Sequence, residues 1–251
     1  MEDTFLKPNI KIWLTRPHLE EDAIALGLSK IGVHLLKCPL ISLNLIERES
    51  QLDKIKQIKR DSWIILSSPN AIKFFNILMG QSKHLLNNFR FALVGSNSSF
   101  KLQSIGLNPS FVSSKPSIDN LCKELPVDKG EDVYYFGSEL DRNAQPLSLI
   151  KKRGANVYST KLYETQAVEI ENEHLLSLNK SAPDAIIITS YSAIDSLISQ
   201  AFKFSWSVYE KQIITIGPLT AEYAMSQGFK SVLAAEAPSL QGIIKALRAF
   251  A

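Results

Sequence analysis

Ile65-Leu66-Ser67-Ser68-Pro69-Asn70-Ala71-Ile72 and Ile187-Ile188-Thr189-Ser190-Tyr191-Ser192-Ala193-Ile194 are one phrase written twice, 122 residues apart. Each begins as an apolar β-like run, breaks at a pair of hydroxyl residues, and enters a helical pattern. At the same offset Gly95 meets Gly217, Gly106 meets Gly228, Pro116 meets Pro238 and Ser117 meets Ser239. Over positions 64–125 twelve residues are identical, against about 4 expected from ordinary composition. Half of the matches are Gly, Pro or Ser, the residues that punctuate a backbone at fixed places. More faintly, Gly32 meets Gly154, and Ile12-Trp13-Leu14 meets Tyr134-Tyr135-Phe136. The chain reads as two copies of one unit, beginning near Ile10 and near Asp132.

Within each copy, short apolar runs alternate with amphipathic stretches. The first copy predicts strands at Ile10–Leu14, Val33–Leu36, Trp63–Leu66, Phe89–Val94 and Phe111–Val112. The second predicts them at Val133–Phe136, Val157–Tyr158, Ala185–Ile188, Ile213–Ile216 and Val232–Leu233. Helical patterns lie between, around Ala23–Ile31, Asn70–Met79 and Ile118–Leu125. Strands separated by helices imply α/β architecture with parallel sheets and right-handed crossovers. Each lobe is expected to be flavodoxin-like in outline.

Composition bounds the rest. The chain has 251 residues with 28 Lys and Arg against 25 Asp and Glu, a net charge of +3. That bias is too small to argue for nucleic acid. The clusters Lys54–Lys56–Lys59–Arg60 and Lys151–Lys152–Arg153 read as solvated helix faces. Two cysteines, Cys38 and Cys122, build neither a disulfide framework nor a metal set, and fit a reducing compartment. His18, His34, His84 and His174 have no metal spacing. No apolar run reaches a membrane span, and the stretch Met1–Lys11 has no signal core, so a cytoplasmic location is expected. There is no dinucleotide fingerprint, P-loop or nucleophile elbow. Trp13 reads as core, Trp63 as the start of a strand and Trp206 as a loop residue.

In parallel sheets ligands bind beyond the carboxyl ends of the strands. That rule selects Thr15-Arg16, Ser67-Ser68, Gly95 to Ser98, Gly137-Ser138, Thr189-Ser190 and Gly217 to Thr220. Hydroxyls and free N–H groups at helix starts suit carboxylates. Any one of these is a plain N-cap; six recurrences point to a binding edge.

Taken together, the strand-end motifs resemble the uroporphyrinogen-III synthase family over nearly the whole chain. They are Leu14-Thr15-Arg16-Pro17, Leu66-Ser67-Ser68-Pro69-Asn70-Ala71, Val94-Gly95 with Ser98, Phe136-Gly137 with Arg142, and Gly154-Ala155-Asn156-Val157. Leu162-Tyr163-Glu164-Thr165, Ile216-Gly217-Pro218-Leu219-Thr220-Ala221, Gly228 and Ala237-Pro238-Ser239 complete the set. Two positions depart from the pattern: Ser98-Ser99 stands where the family has Thr-Ala, and Tyr191 where it often has Pro.

The resemblance implies a chain that starts in one lobe, completes a second and returns, across a two-stranded β hinge that opens and closes around the ligand. Lobe one would hold residues 1–38 and 168–251, the hinge strands 39–46 and 161–167, and lobe two 47–160. The first strand of each copy would then sit in the other copy's lobe. The implied activity is closure of hydroxymethylbilane to uroporphyrinogen III with inversion of ring D and loss of water, by a monomer using no cofactor and no metal. Thr15, Arg16, Ser68, Gly95, Ser98, Arg142, Ser190, Ser192, Gly217 and Thr220 would hold the substrate's acidic arms, with Tyr163 as general acid. The substrate is the expected partner, with a transient contact to the upstream hydroxymethylbilane synthase and none to nucleic acid or membrane. A non-catalytic two-lobed small-anion binding protein is the alternative for the same strand ends, and a two-lobed nucleotide-sugar transferase is weaker because it needs an acidic pair and a phosphate-cradling glycine loop.

Overall fold

The computed structural model describes residues 9–17, 23–46, 48–138 and 140–250, except for the side chains of residues 48, 81, 83, 97 and 140–143. Its elements run β1 (Lys11–Leu14), α1 (Ala23–Lys30), β2 (His34–Lys37), β3 (Ile41–Leu45), α2 (Arg48–Lys56), β4 (Trp63–Leu66), α3 (Pro69–Met79), β5 (Arg90–Leu93), α4 (Gly95–Gln103), β6 (Phe111–Val112) and α5 (Ile118–Glu124). There follow β7 (Asp132–Gly137), α6 (Leu140–Lys152), β8 (Asn156–Lys161), β9 (Tyr163–Ala167), α7 (Asn172–Lys180), β10 (Ala185–Ile188), α8 (Tyr191–Ser199), β11 (Gln212–Thr215), α9 (Pro218–Ser226), β12 (Ser231–Ala234) and α10 (Leu240–Phe250). Among the described residues no helix is long and apolar enough to cross a membrane.

Two compact units result, one of Met1–Leu43 with Thr165–Ala251, the other of Asn44–Glu164. The first carries a five-stranded sheet in the order β12-β11-β10-β1-β2, the second one in the order β6-β5-β4-β7-β8. Every neighbour in both sheets is parallel. The chain passes from one unit to the other in β3 and returns in β9, and these two strands pair as a separate antiparallel sheet. The architecture is therefore two flavodoxin-like parallel sheets, as the alternation of strands and helices implies, with a two-stranded sheet where the chain crosses, as the family resemblance implies.

The duplication appears in the strand orders. Matching β4, β5 and β6 to β10, β11 and β12 makes the two orders identical, with β1 and β2 taking the places of β7 and β8. So the opening strands of each copy complete the sheet of the other. The pair Ile65↔Ala92 corresponds to Ile187↔Ile214 at an offset of 122. The first strand does not keep that offset. Ile65 lies opposite Tyr135 and Ile187 lies opposite Leu14, so Leu14 corresponds to Tyr135 rather than to Phe136. The faint alignment of Ile12-Trp13-Leu14 with Tyr134-Tyr135-Phe136 is thus one residue out. In a strand, a shift of one exchanges faces. Apolar side chains on both faces hide such a slip from the sequence.

Alternation along the strands builds a core on each face of the first unit's sheet. Trp13, Ile186, Ile188 and Ile213 face Ala193, Ile194 and Leu197 of α8. Ile12, Leu14, Ile187 and Ile214 face Leu28 of α1 and Ile243 of α10. Trp13 is fully buried and donates its indole N–H to the Cys38 carbonyl. In the second unit Ile65, Val133 and Tyr135 pack with Leu121 of α5 and with Leu147 and Ile150 of α6. Phe75 of α3 meets Phe136 at 5.1 Å and Phe91 at 6.3 Å between ring centroids.

These packings fix where a ligand can sit. In the second unit the helix after β4 takes the face of Phe136, whereas the helix after β7 takes the face of Tyr135. In the first unit the helix after β10 packs with Trp13, and the helix after β1 with Leu14. Each sheet therefore changes winding direction between two adjacent strands, β4 and β7 or β10 and β1, and the diverging helices leave a crevice at their carboxyl ends.

Candidate active site

At the second unit's crevice, β4 ends in Ser67-Ser68 and β7 in Gly137. Ser68 caps α3: it is extended, its hydroxyl accepts the Ala71 N–H at 3.1 Å, and Pro69 opens the helix. The same hydroxyl lies 3.3 Å from that of Tyr163, the first residue of β9. Tyr163 is only 6% exposed, and its ring stacks on Phe74 of α3 at 4.8 Å and 18°. Ser67 makes a parallel pair, with its hydroxyl 3.1 Å from that of Tyr135. Tyr135 reaches Ser67 past Gly137, where a Cβ would stand 2.1 Å from the phenolic oxygen. Gly137 is required there by close approach, not by backbone conformation.

Along the same edge, Gly95 enters α4 at φ +74°, and a Cβ on it would crowd Pro116 at 3.2 Å. Ser98 follows in the first turn of α4 and is buried. A groove of about 390 Å³ opens beside them, lined by Gly95, Ser96, Ser99, Phe100, Val112 and Ser113 among others. Phe100 is exposed, giving the groove an apolar lining beside its hydroxyls. Arg142 lies in α6, and its side chain is outside the described residues.

In the first unit the predicted residues divide. Thr15 is fully buried and its hydroxyl donates to the Ile187 carbonyl at 2.8 Å, tying β1 to β10. Arg16 follows and is half-buried. Ser190 caps α8 as Ser68 caps α3, accepting from Ala193 N–H at 3.3 Å, with Tyr191 in the place of Pro69. Ser192 is half-buried in the first turn of that helix. Gly217 caps α9 in an extended conformation, and a Cβ there would meet nothing within 4 Å. Thr220 lies one turn in, 9% exposed.

Both cysteines are buried. Burial, aided by Glu171, pushes the Cys38 thiol up to about 11; burial, aided by Asp119, pushes Cys122 up to about 12. Neither supplies a thiolate at neutral pH. Among the described residues no group of three or more His, Cys, Asp or Glu side chains could hold a metal ion. The described strand ends present hydroxyls and helix-start N–H groups and, in the second unit, the phenols of Tyr135 and Tyr163, chemistry suited to hydrogen-bonding anions and to weak acid catalysis.

A family model described as "Uroporphyrinogen-III synthase HemD" matches residues 22–245. The chain belongs to the uroporphyrinogen-III synthase family. It is 23% identical over 250 residues to a protein of Methanocaldococcus jannaschii described as a "Putative uroporphyrinogen-III synthase", covering 95% of this chain and 98% of that one. In fold it is similar to the uroporphyrinogen-III synthetase of Helicobacter pylori, with a TM-score of 0.61, 17% identity, and 94% and 97% of the two chains covered. It is likewise similar to a mutant uroporphyrinogen III synthase of Thermus thermophilus, with a TM-score of 0.59, 15% identity, and 95% and 98% covered. Ser67 and Gly137 were selected as strand-end residues, but Tyr135 and its pairing with Ser67 were not singled out by sequence. The signal available was a strand-end Phe-Gly preceded by tyrosine.

Proposed function

We propose that this protein is a uroporphyrinogen-III synthase, converting hydroxymethylbilane to uroporphyrinogen III and water. The observation that carries the reading is the family match, which spans residues 22–245 of the chain. The substrate is a flexible linear tetrapyrrole with acetate and propionate arms. Loss of its terminal hydroxyl as water leaves an electron-deficient azafulvene; attack by the substituted carbon of ring D gives a spiro intermediate, which fragments and recloses with that ring inverted. Unassisted closure joins the unsubstituted position instead. Selecting the inverted product is a task of orientation.

The chemistry of the strand ends supports this assignment. The Ser190 cap, the N–H groups opening α9 behind Gly217, and the α4 entry at Gly95 and Ser98 would receive carboxylate arms, each charge-assisted bond contributing about 1.5–3 kcal/mol. Gly217 has neither a positive φ nor a crowded Cβ, so the fold does not demand a glycine there; a carboxylate approaching the backbone would. Arg16 and Arg142 add charge. Thr15, with its hydroxyl spent on Ile187, would shape the crevice rather than touch substrate.

Tyr163 would protonate the departing hydroxyl. Ser68 already accepts the Ala71 N–H, so its own proton is available to the Tyr163 oxygen, which leaves the phenolic proton for the leaving group. The test is isomer analysis with hydroxymethylbilane generated in situ. Type III product that depends on this protein supports the reading; type I alone, from folded protein, contradicts it.

A further inference from the structure

The inward face of α2 contains a polar residue where an apolar one would fit. Gln51 and Ile55 stand one turn apart on α2 and are both buried, Gln51 to 3% exposure, as is Ile58 just past the helix end. The Oε1 of Gln51 is buried without a hydrogen-bond partner. Burying an unpartnered amide oxygen is costly, so a leucine or methionine would suit this position better if packing were its only demand. What the amide adds is a single donor: Nε2 bonds the Lys161 carbonyl at 2.9 Å.

Lys161 ends β8, two residues before Tyr163. The residue between them, Leu162, is fully buried; its N–H donates to Gly137 and its carbonyl accepts from Ile46. Beyond it, Tyr163 is held by Phe74 and Ser68. All of these residues belong to the second unit. Gly137 and Ile46 fix Leu162, while Gln51 fixes the peptide carbonyl immediately ahead of it. A displacement of that carbonyl would turn the chain into β9 and carry the phenol off its partners.

We infer that Gln51 is a positioning residue for Tyr163, acting through the Lys161 carbonyl to set where the phenolic hydroxyl points. The inference rests on the proposed synthase reading for its effect on turnover, but not for its effect on Tyr163 itself. The experiment therefore pairs two readouts on Gln51→Leu and, as a second variant that keeps an unbranched side chain, Gln51→Met. Protein labelled with ¹³C in the tyrosine rings gives seven tyrosine signals, and Tyr163→Phe identifies that of Tyr163. In either Gln51 variant with a cooperative melt, the Tyr163 signal should shift or broaden while the other six stay in place. In the isomer assay kcat should fall about tenfold with KM within about twofold, and the same substitution in a Tyr163→Phe background should lower kcat no further. An unmoved Tyr163 signal, or an equal loss of kcat in that background, overturns the proposal. If wild-type protein gives type I product only, the synthase reading fails, and the tyrosine signal still decides the role of Gln51.

Discussion

The hydroxyl of Tyr163 lies 3.3 Å from that of Ser68, which also accepts the Ala71 N–H as the cap of α3. One serine therefore starts a helix and holds the side chain proposed as the acid. Ser190 repeats the cap in the other unit with an accepted N–H from Ala193.

Ser68→Ala and Ser190→Ala separate those two duties. Loss of a serine cap costs about 1 kcal/mol. Ser68→Ala also removes the partner of Tyr163, for a further loss of about 0.5–1.5 kcal/mol. Urea unfolding should rank Ser68→Ala as the less stable variant. Turnover should fall in Ser68→Ala and be largely restored in Ser68→Thr, which keeps the hydroxyl.

Tyr163→Phe keeps the stack on Phe74 and removes only the hydroxyl. Stability should fall by no more than the lost Ser68 hydrogen bond, about 0.5–1.5 kcal/mol, whereas kcat should drop by about 10²-fold, the lower end for loss of a general acid, with KM nearly unchanged. Near-normal turnover in a folded variant would assign Tyr163 to packing alone.

The carboxyl of Glu131 gives a prediction about pH. Its partial burial works to raise the pKa, but the Asp128 N–H, the Arg90 guanidinium and the Trp63 indole N–H together outweigh burial and lower it. A lowered folded pKa means that its contribution is present above the ordinary value of 4.5 and is lost as pH falls through the folded value. Glu131→Gln should therefore destabilise the protein at pH 7 by about 1–2 kcal/mol. Unfolding curves of wild type and variant should converge as the pH is lowered below that range.

How much of this was legible in the sequence depended on the kind of signal. Trp63–Leu66 and Ala185–Ile188 are short runs of buried apolar residues, isoleucine-rich and followed by hydroxyl pairs, and they fold where they were predicted. Gly32, Gly106, Gly154 and Gly228 all have positive φ, which only glycine adopts cheaply, so their spacing carried the repeat. The crossing strands β3 and β9 were placed by the family resemblance, on stretches rich in apolar or β-branched residues. The register of β1 was not, because a strand buried on both faces has no alternation to fix it. Gln51 was invisible for a different reason: a glutamine in a charged helix reads as solvated, and only the packing of α2 shows it turned inward. The side-chain meeting of Tyr163 and Ser68, 95 residues apart, follows from the return of the chain through β9 and could not be read from spacing.

If this chain directs ring closure, the isomer composition of the product must depend on how much of it is present. Hydroxymethylbilane is generated continuously by its synthase, this protein is added over a range of concentrations, and the products are oxidised and separated as uroporphyrin isomers. The type III fraction should rise with protein concentration until the type I product is suppressed. A type I fraction that stays constant at every concentration of folded protein would contradict it.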